Sequence, residues 1–460
     1  MASLVPLILE VLYKNKIMTK EEIVQEISRE IDIEPDKVMF RVEKLIGQGK
    51  IYKYQEEGFA LENHGDLLEK EIEHLMNNIF YKPYVFINPK IKDGAQELCD
   101  LLVYFDNTLI LFQAKVQKFT GNYERFVKKA VENSLSQLET SINRCKNTGF
   151  DIELTDIYGR SLKIDKTIPL NIIGICVAYQ IEPILSSDKA RLTYNLKPDS
   201  MNEIPHILSN EELRIICKYF DTPRDFIDYL AKRAFICKNP SHAFVSEKDI
   251  ISMYYRSERT MLPKDMSMDE YEKASIILFD GMEDDLNDGE LSKQIEDKKK
   301  KDKVSYGVDE FIHSIESKSH KNFEETKVVK FFHDMNRFDR RILGESIFKK
   351  FRECIKNKKN FGYFVSTTKQ TKDAYLVIFS NLDMTETEKR ASLLLKLSKM
   401  RLNKDNAIAI VFQSFFKPET LSYRFMLNEN KLSNEEIAEL KKTESSFFGE
   451  TKEESLYEFD

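Results

Sequence analysis

Residues that build metal clusters and disulfide frameworks are scarce in this sequence. Its 460 residues include only six cysteines and seven histidines. The cysteines form no CxxC pair and mostly have apolar neighbours, as expected of reduced core thiols in a cytoplasmic protein. The histidines form neither an HExxH motif nor another zinc spacing, so the pattern predicts no zinc site.

Long apolar runs and phosphate-binding loops are also missing. The longest apolar candidate, residues 168–179, is short for a bilayer span and contains Pro169 and Asn171, so we expect no transmembrane helix. The first residues have no basic start and are interrupted by Glu10, which argues against a secretory signal. Neither GxxxxGK[ST] nor GxGxxG occurs, which argues against both common nucleotide-binding loops. The expected lack of a span and of a secretory signal favours a cytoplasmic protein without membrane contact.

Charge is distributed unevenly along the chain. The net charge of −7 argues against a protein that coats nucleic acid indiscriminately. Residues 115–129 nevertheless hold five basic residues against Glu124 alone, and residues 327–360 hold eleven against four acids. This segregation permits basic faces on an acidic chain, although a solvated helix face explains any single patch equally well.

The length suits two to four domains. We expect an α/β multidomain protein with five segments: a winged helix-turn-helix at 1–62, an α/β core at 63–190, a mainly helical extension at 191–280, a charged linker at 281–305 and a C-terminal α/β domain of unknown role at 306–460. The charged linker is expected to be either a solvated connector or an exposed helix.

The first segment resembles a winged helix-turn-helix. A helix is expected at 4–14, the capping box TKEE at 19–22 opens a second helix, and Pro35 begins a third, which a two-stranded hairpin follows. The third helix carries three basic residues that suit a groove-binding helix, namely Lys37, Arg41 and Lys44. Because the segment as a whole is slightly acidic, docking to a protein is the alternative to binding DNA.

The second segment predicts a helix at about 66–80, a short strand at 84–87, two strands within 97–115, a helix at about 123–146 and a strand at 170–180. The order is therefore helix, strand, strand, strand, helix, strand.

The stretch ELCDLLVYFDNTLILFQAK, residues 97–115, predicts a hairpin that turns at Asp106 and Asn107. This turn pairs Leu102 with Leu111. Because side chains alternate, one face then gathers three polar groups at one end of the hairpin, namely Asp100, Gln113 and Lys115. The opposite face is expected to be apolar and to pack on a helix, with Cys99, Leu101, Val103, Ile110, Phe112 and Ala114.

Polar groups that converge inside an apolar sheet are costly unless they bind each other or a ligand. One explanation is a buried ion pair between Asp100 and Lys115 that sets the strand register, with Gln113 completing its hydrogen bonds. The other is a ligand site.

An aspartate followed thirteen residues later by QxK, in this order of elements, resembles the PD-(D/E)xK nuclease superfamily. The similarity is greatest to the restriction-endonuclease-like branch typified by Mrr proteins, in which glutamine often replaces the acid. The resemblance implies a divalent-metal phosphodiesterase core. Asp100 would bind Mg²⁺ or Mn²⁺, Gln113 would add its amide oxygen, and Lys115 would hold the attacking water and offset phosphate charge.

The superfamily usually adds a glutamate from the preceding helix. Glu69 lies at the edge of that helix's apolar face and takes this role by analogy, although an ordinary exposed acid is the alternative. Gln137 is a further candidate for orienting substrate. Two departures are Cys99 in place of the motif's proline and Gln113, whose neutral amide supplies less charge for a cation. Glu97 has the wrong strand parity for the site unless a bulge intervenes.

Nucleic-acid contacts are expected from the basic residues of the third helix and from those that follow the QxK motif, namely Lys118, Arg125, Lys128 and Lys129. Three functions remain open. They are a metal-dependent DNA endonuclease of bacterial restriction or phage defence, an inactive nuclease-like module that binds nucleic acid or acts as a scaffold, and a winged-helix regulator. DNA is the expected partner and RNA is the alternative, and association with further copies of the chain or with a defence-system subunit is also open.

Overall fold

The structure is a computed structural model. It describes residues 19–31, 34–47, 52–54, 58–60, 64–91, 97–118, 128–147, 152–165, 167, 169–181, 205–237, 242–244, 246–257, 277–279, 286–287, 289–318, 332–367, 373–416 and 422–443. The chain is of mixed α/β type and forms two compact units. Unit 1 comprises Met1–Tyr219, Leu230–Ile250 and Glu272–Asp280, and unit 2 comprises Phe220–Tyr229, Ile251–Tyr271 and Gly281–Asp460.

Unit 1 begins with helices α1 (Lys20–Ile31) and α2 (Pro35–Gly47) and the antiparallel strands β1 (Tyr52–Tyr54) and β2 (Gly58–Ala60). The predicted capping box is confirmed, because the Thr19 amide donates to the Glu22 carboxylate (2.8 Å) and the Glu22 amide donates to the Thr19 hydroxyl (3.1 Å). The helix expected at 4–14 lies outside the described residues.

A five-stranded sheet forms the centre of unit 1. Helix α3 (His64–Phe80) is followed by the strands β3 (Val85–Ile87), β4 (Lys90–Ile91), β5 (Leu101–Phe105) and β6 (Thr108–Lys118). Helix α4 (Asn133–Asn147) comes next, and the chain continues with β7 (Ile152–Thr155), β8 (Ser161–Ile164), β9 (Asn171–Ile181) and β10 (His206–Ser209). The strand order in the sheet is β10-β9-β6-β5-β3, with β6 parallel to β9 and antiparallel to β5. The predicted order of helix, three strands, helix and strand is present, with β4, β7 and β8 forming a separate small sheet.

The hairpin register is as predicted. Leu102 pairs with Leu111 and Phe105 with Thr108. Asp106 and Asn107 both adopt left-handed backbone angles (φ 43° and 60°), as a two-residue hairpin turn requires.

Helices cover both faces of this sheet. On one face, Leu138 and Ile142 of α4 pack against the sheet residues Leu102, Leu109 and Leu111. Gly174 of β9 permits this approach, since a Cβ there would lie 2.8 Å from the Leu138 side chain. On the other face, Phe80 of α3 packs edge-on against Phe105 of β5, and the ring centroids are 5.9 Å apart.

The segment predicted as a helical extension is divided between the two units. It contains α5 (Asn210–Tyr219), α6 (Pro223–Cys237), β11 (His242–Phe244), α7 (Glu247–Arg256) and β12 (Ile277–Phe279). Strand β10, which begins this region, extends the central sheet by pairing in parallel with β9. The α/β core predicted to end at residue 190 therefore continues beyond it.

Unit 2 holds α8 (Glu290–Lys318), α9 (Arg337–Lys356), β13 (Phe361–Thr367), β14 (Asp373–Ser380), α10 (Met384–Leu402), β15 (Asn406–Gln413), β16 (Ser422–Asn428) and α11 (Asn434–Thr443). Its four-stranded sheet has the order β13-β14-β15-β16. From Glu290 onward the charged segment is a helix, which is one of its two expected forms. This helix, α8, buries Leu291, Ile295, Val308 and Ile312 and packs along α9.

Five cysteines whose side chains the structure describes are buried and form no disulfide, as predicted: Cys99, Cys145, Cys176, Cys217 and Cys354. Among the described residues, no helix is both long enough and apolar enough to cross a bilayer.

Candidate active site

The end of the β5–β6 hairpin brings Asp100 and Gln113 together. The Gln113 amide nitrogen donates to Asp100 Oδ2 (2.7 Å), and the Ala114 backbone N–H donates to the same oxygen (2.6 Å). Strand β6 is longer than β5. Its residues after Phe112 therefore have no β5 backbone beside them, and the Asp100 carboxylate accepts the Ala114 N–H instead.

A bulge at Asp100 interrupts the strand alternation. The Asp100 amide donates to the Phe112 carbonyl (3.1 Å), although Phe112 already pairs with Leu101. Two consecutive residues thus oppose one, which is the arrangement of a β-bulge. As a consequence, Cys99 lies in the core with Leu102, and its predicted place beside Leu101 on the opposite face is wrong.

Asp100 is a carboxyl group with a raised pKa. Burial raises its pKa to about 6, whereas the hydrogen bonds from Ala114 and Gln113 and the nearby Lys115 partly counter this shift. Near neutral pH this carboxylate is ionised but poorly solvated, and a bound cation would stabilise it.

Glu69 lies on α3 next to this group. Burial, and then repulsion by Asp100, raises the pKa of Glu69 to about 7. Its helix neighbour Glu71 serves a different purpose, because it accepts hydrogen bonds from Asn210 (2.9 Å) and from Arg214. Of these two acids on α3, Glu69 is therefore the one coupled to Asp100, in agreement with its predicted position at the edge of the apolar face.

Asn88 and Glu97 also belong to this site, although neither was assigned to it from the sequence. The Asn88 side chain hydrogen-bonds Glu69, and its backbone N–H donates to the Asp100 carbonyl (2.9 Å). Its amide oxygen Oδ1 is buried and accepts no hydrogen bond from any described residue. Glu97 is exposed, and its charge raises the pKa of both Glu69 and Asp100. The Asn88-Pro89 pair directly after β3 was a sequence signal that could have pointed to Asn88. Glu97 had been left out because of its strand parity, and only the bulge at Asp100 removes that argument.

Lys115 is half-buried and close enough to Asp100 to lower its pKa. Within the described part of the chain, however, it forms no ion pair with a carboxylate. Asp100 is held by Gln113 and Ala114 instead. The contact between Asp100 and Lys115 that the ion-pair explanation requires is thus not formed.

The other candidates whose side chains the structure describes lie outside this cluster. Gln137 is exposed on α4, and no described hydrogen bond joins its side chain to Asp100 or Gln113. Lys129 is exposed, and on α2 Lys37 pairs with Glu34 (2.8 Å) while Arg41 is half-buried. Outside the described residues lie Arg125 and the side chains of Lys44, Lys118 and Lys128.

The residues present suit a hard divalent cation. Two repelling carboxylates and the unpartnered Asn88 amide oxygen are the kinds of oxygen donor that Mg²⁺ and Mn²⁺ prefer. Gln113 now directs its nitrogen to Asp100, and a half-turn of the amide would present its oxygen. No group of three or more His, Cys, Asp or Glu side chains suited to a metal occurs among the described residues.

Comparisons with protein-family models, with curated protein sequences and with solved structures give no match. A function for this chain is therefore inferred from the geometry and chemistry of the site.

Proposed function

We propose that the chain is a divalent-metal-dependent endonuclease that hydrolyses DNA phosphodiester bonds. The observation that carries this proposal is the joining of Asp100 to Gln113 (2.7 Å) at the end of a hairpin, with the repelled Glu69 beside them. Two partly buried carboxylates placed close together cost stability unless a ligand compensates their charge. A bound cation would compensate the charge of both carboxylates, so the arrangement suits a metal site.

Each side chain has a distinct task in this proposal. Glu69 and Asp100 hold Mg²⁺ or Mn²⁺, with an amide oxygen of Asn88 or Gln113 as a neutral donor. When bound, the cation supplies a more acidic water and stabilises negative charge on the phosphate. Lys115, which has no ion-pair partner among the described residues, orients the attacking water and offsets the charge of the scissile phosphate.

A nicking assay on supercoiled plasmid DNA with Mg²⁺ or Mn²⁺ tests this proposal. We expect Lys115→Ala to lower the cleavage rate about 100-fold or more, because it removes a positive charge aimed at the transition state. Lys129→Ala is the matched control, since Lys129 is an exposed lysine in the same basic segment. Equal cleavage by Lys115→Ala and the parent would reject the assignment. An RNA substrate assayed in parallel distinguishes the two nucleic acids.

One observation favours a second candidate, a nuclease-like module that binds nucleic acid without cleaving it. Gln113 stands where an acid would add negative charge, and it already donates to Asp100. Metal-independent DNA binding that persists without cleavage would support this candidate.

A role in bacterial restriction or phage defence, in the cytoplasm, extends the proposal by analogy to similar nucleases. A homo-oligomer would let two sites cut both strands. Sedimentation velocity with and without DNA measures this state directly.

A further inference from the structure

The turn between β7 and β8 exposes two large apolar side chains. Ile157 is 56 % exposed and Tyr158 is 62 % exposed. Single exposed apolar residues are common on protein surfaces. This adjacent pair differs because the turn that carries it is held rigidly.

Asp156 and Arg160 brace the turn. The buried Asp156 carboxylate accepts the backbone N–H groups of Tyr158 (3.0 Å) and Arg160 (2.9 Å), together with the Arg160 Nε–H (2.8 Å). The Arg160 guanidinium also donates to the carbonyl oxygens of Lys82 and Val85, each at 2.6 Å. The turn is therefore ordered before any partner binds, and a partner would lose little affinity to ordering it.

The braced turn lies beside the candidate active site. The Ile157 amide donates to the Ile87 carbonyl (3.2 Å), and the next residue, Asn88, donates its amide to the Asp100 carbonyl (2.9 Å). A structural role, in which the turn covers the edge of β3, explains these backbone contacts. It does not explain why the side chains of Ile157 and Tyr158 face solvent.

The chemistry around Tyr158 suits a nucleotide. The Arg160 guanidinium carbon lies 5.6 Å from the centre of the Tyr158 ring and 5.2 Å from that of Phe86, and about a third of the Arg160 side chain is exposed. An exposed ring offers a face on which a base can stack, and the Arg160 guanidinium, held by Asp156, supports the ring from behind.

We propose that Ile157 and Tyr158 form a rigid wedge that contacts a base of the nucleic-acid strand held at the Glu69 and Asp100 site. This inference rests on the proposed function, because it takes its ligand from the phosphodiester site next to it. Tyr158 stacks on the base, and Ile157 fills the space beside the sugar or the next base.

Binding can be tested separately from cleavage. In the full chain carrying Lys115→Ala, the affinity for a fluorescent single-stranded DNA oligonucleotide and for its duplex is measured by anisotropy with Mg²⁺ present. We expect Tyr158→Ala to weaken binding about 5- to 150-fold, which corresponds to the loss of one stacking ring, and Tyr158→Phe to bind like its parent. Phe348→Ala removes an exposed ring (48 %) in unit 2 and is expected to have no effect. Circular dichroism verifies that each variant folds.

Two outcomes would overturn the wedge. One is equal affinity of Tyr158→Ala and its parent, including the case in which neither binds. The other is loss of self-association in Tyr158→Ala without loss of DNA affinity, which would assign the turn to contacts between copies. If the unmodified chain binds through Tyr158 but never cleaves, the catalytic proposal fails and the wedge stands.

Discussion

Glu69 and Asp100 hold unfavourable positions that a simple structural role does not require. Both carboxyl groups have a raised pKa, to about 7 and about 6, chiefly because each is partly buried. Repulsion by Asp100 adds to the shift of Glu69, and repulsion by Glu97 adds to that of Asp100. A carboxyl whose pKa is raised on folding binds protons more tightly in the folded state. Its presence therefore lowers the unfolding free energy as pH rises through the range between 4.5 and about 7.

Glu69→Gln tests this cost. In the absence of metal we expect the variant to be more stable than the parent at pH 8 by roughly 2 kcal/mol, after allowance for solvent screening, and equally stable at pH 4. Urea denaturation at the two pH values measures the difference. Glu73→Gln on the same helix serves as the control and should not differ from the parent. A destabilised Glu69→Gln at pH 8 would contradict the raised pKa.

Asn88 connects the two acids and can be tested without straining the backbone. Its φ of 44° is left-handed, so Asn88→Gly retains the backbone conformation while removing the carboxamide. We expect this variant to bind Mn²⁺ about 10-fold more weakly, because the partner of Glu69 is lost. Titration calorimetry measures the affinity, and Asn107→Gly in the distant hairpin turn is the matched control. Unchanged Mn²⁺ affinity in Asn88→Gly would remove Asn88 from the site.

The β5–β6 hairpin illustrates how an element places chemistry. Its register depends on the left-handed Asp106-Asn107 turn, and a slip of one residue would move Gln113 away from Asp100. We expect Asn107→Val to destabilise the protein by about 1–2 kcal/mol, since a branched side chain resists the φ of 60°. Asn107→Gly should be neutral or better. Equilibrium denaturation compares the two, and equal stability of both variants would show that the turn does not control register.

At the scale of the whole molecule, the stability of unit 2 depends on a buried group of charged side chains as well as on apolar packing. Asp309 of α8 accepts hydrogen bonds from Arg337 (2.5 Å) and Arg340 (2.6 Å), and Arg340 is only 1 % exposed. Removing one partner of such a group leaves buried charge uncompensated.

Asp309→Ala is therefore expected to cost about 3–5 kcal/mol, measured by chemical denaturation. Asp297 of the same helix pairs with Lys300 at the exposed surface (2.9 Å), and Asp297→Ala should leave stability unchanged. If Asp309→Ala lowered stability as little as Asp297→Ala, we would conclude that water solvates the Asp309 carboxylate and its arginine partners.

Local rules accounted for much of the fold. The capping box at Thr19, the hairpin turn at Asp106 and the alternation of β5 and β6 depend on neighbours a few residues apart, so the sequence alone was enough to predict them. The meeting of Asp100 and Gln113 followed from the same register, whereas the position of Glu69 at the edge of the apolar face of α3 followed from helical periodicity.

Long-range contacts decided the rest. The bulge at Asp100, the contacts of Asn88 with Glu69 and Asp100, and the return of β10 to the central sheet all join segments that are distant along the chain. No periodicity records which of many possible partners a buried polar group will find. The sequence by itself determined the elements and the hairpin that carries the acid and the amide. Only tertiary packing decided which further groups surround them, because burial and repulsion depend on what folds against them.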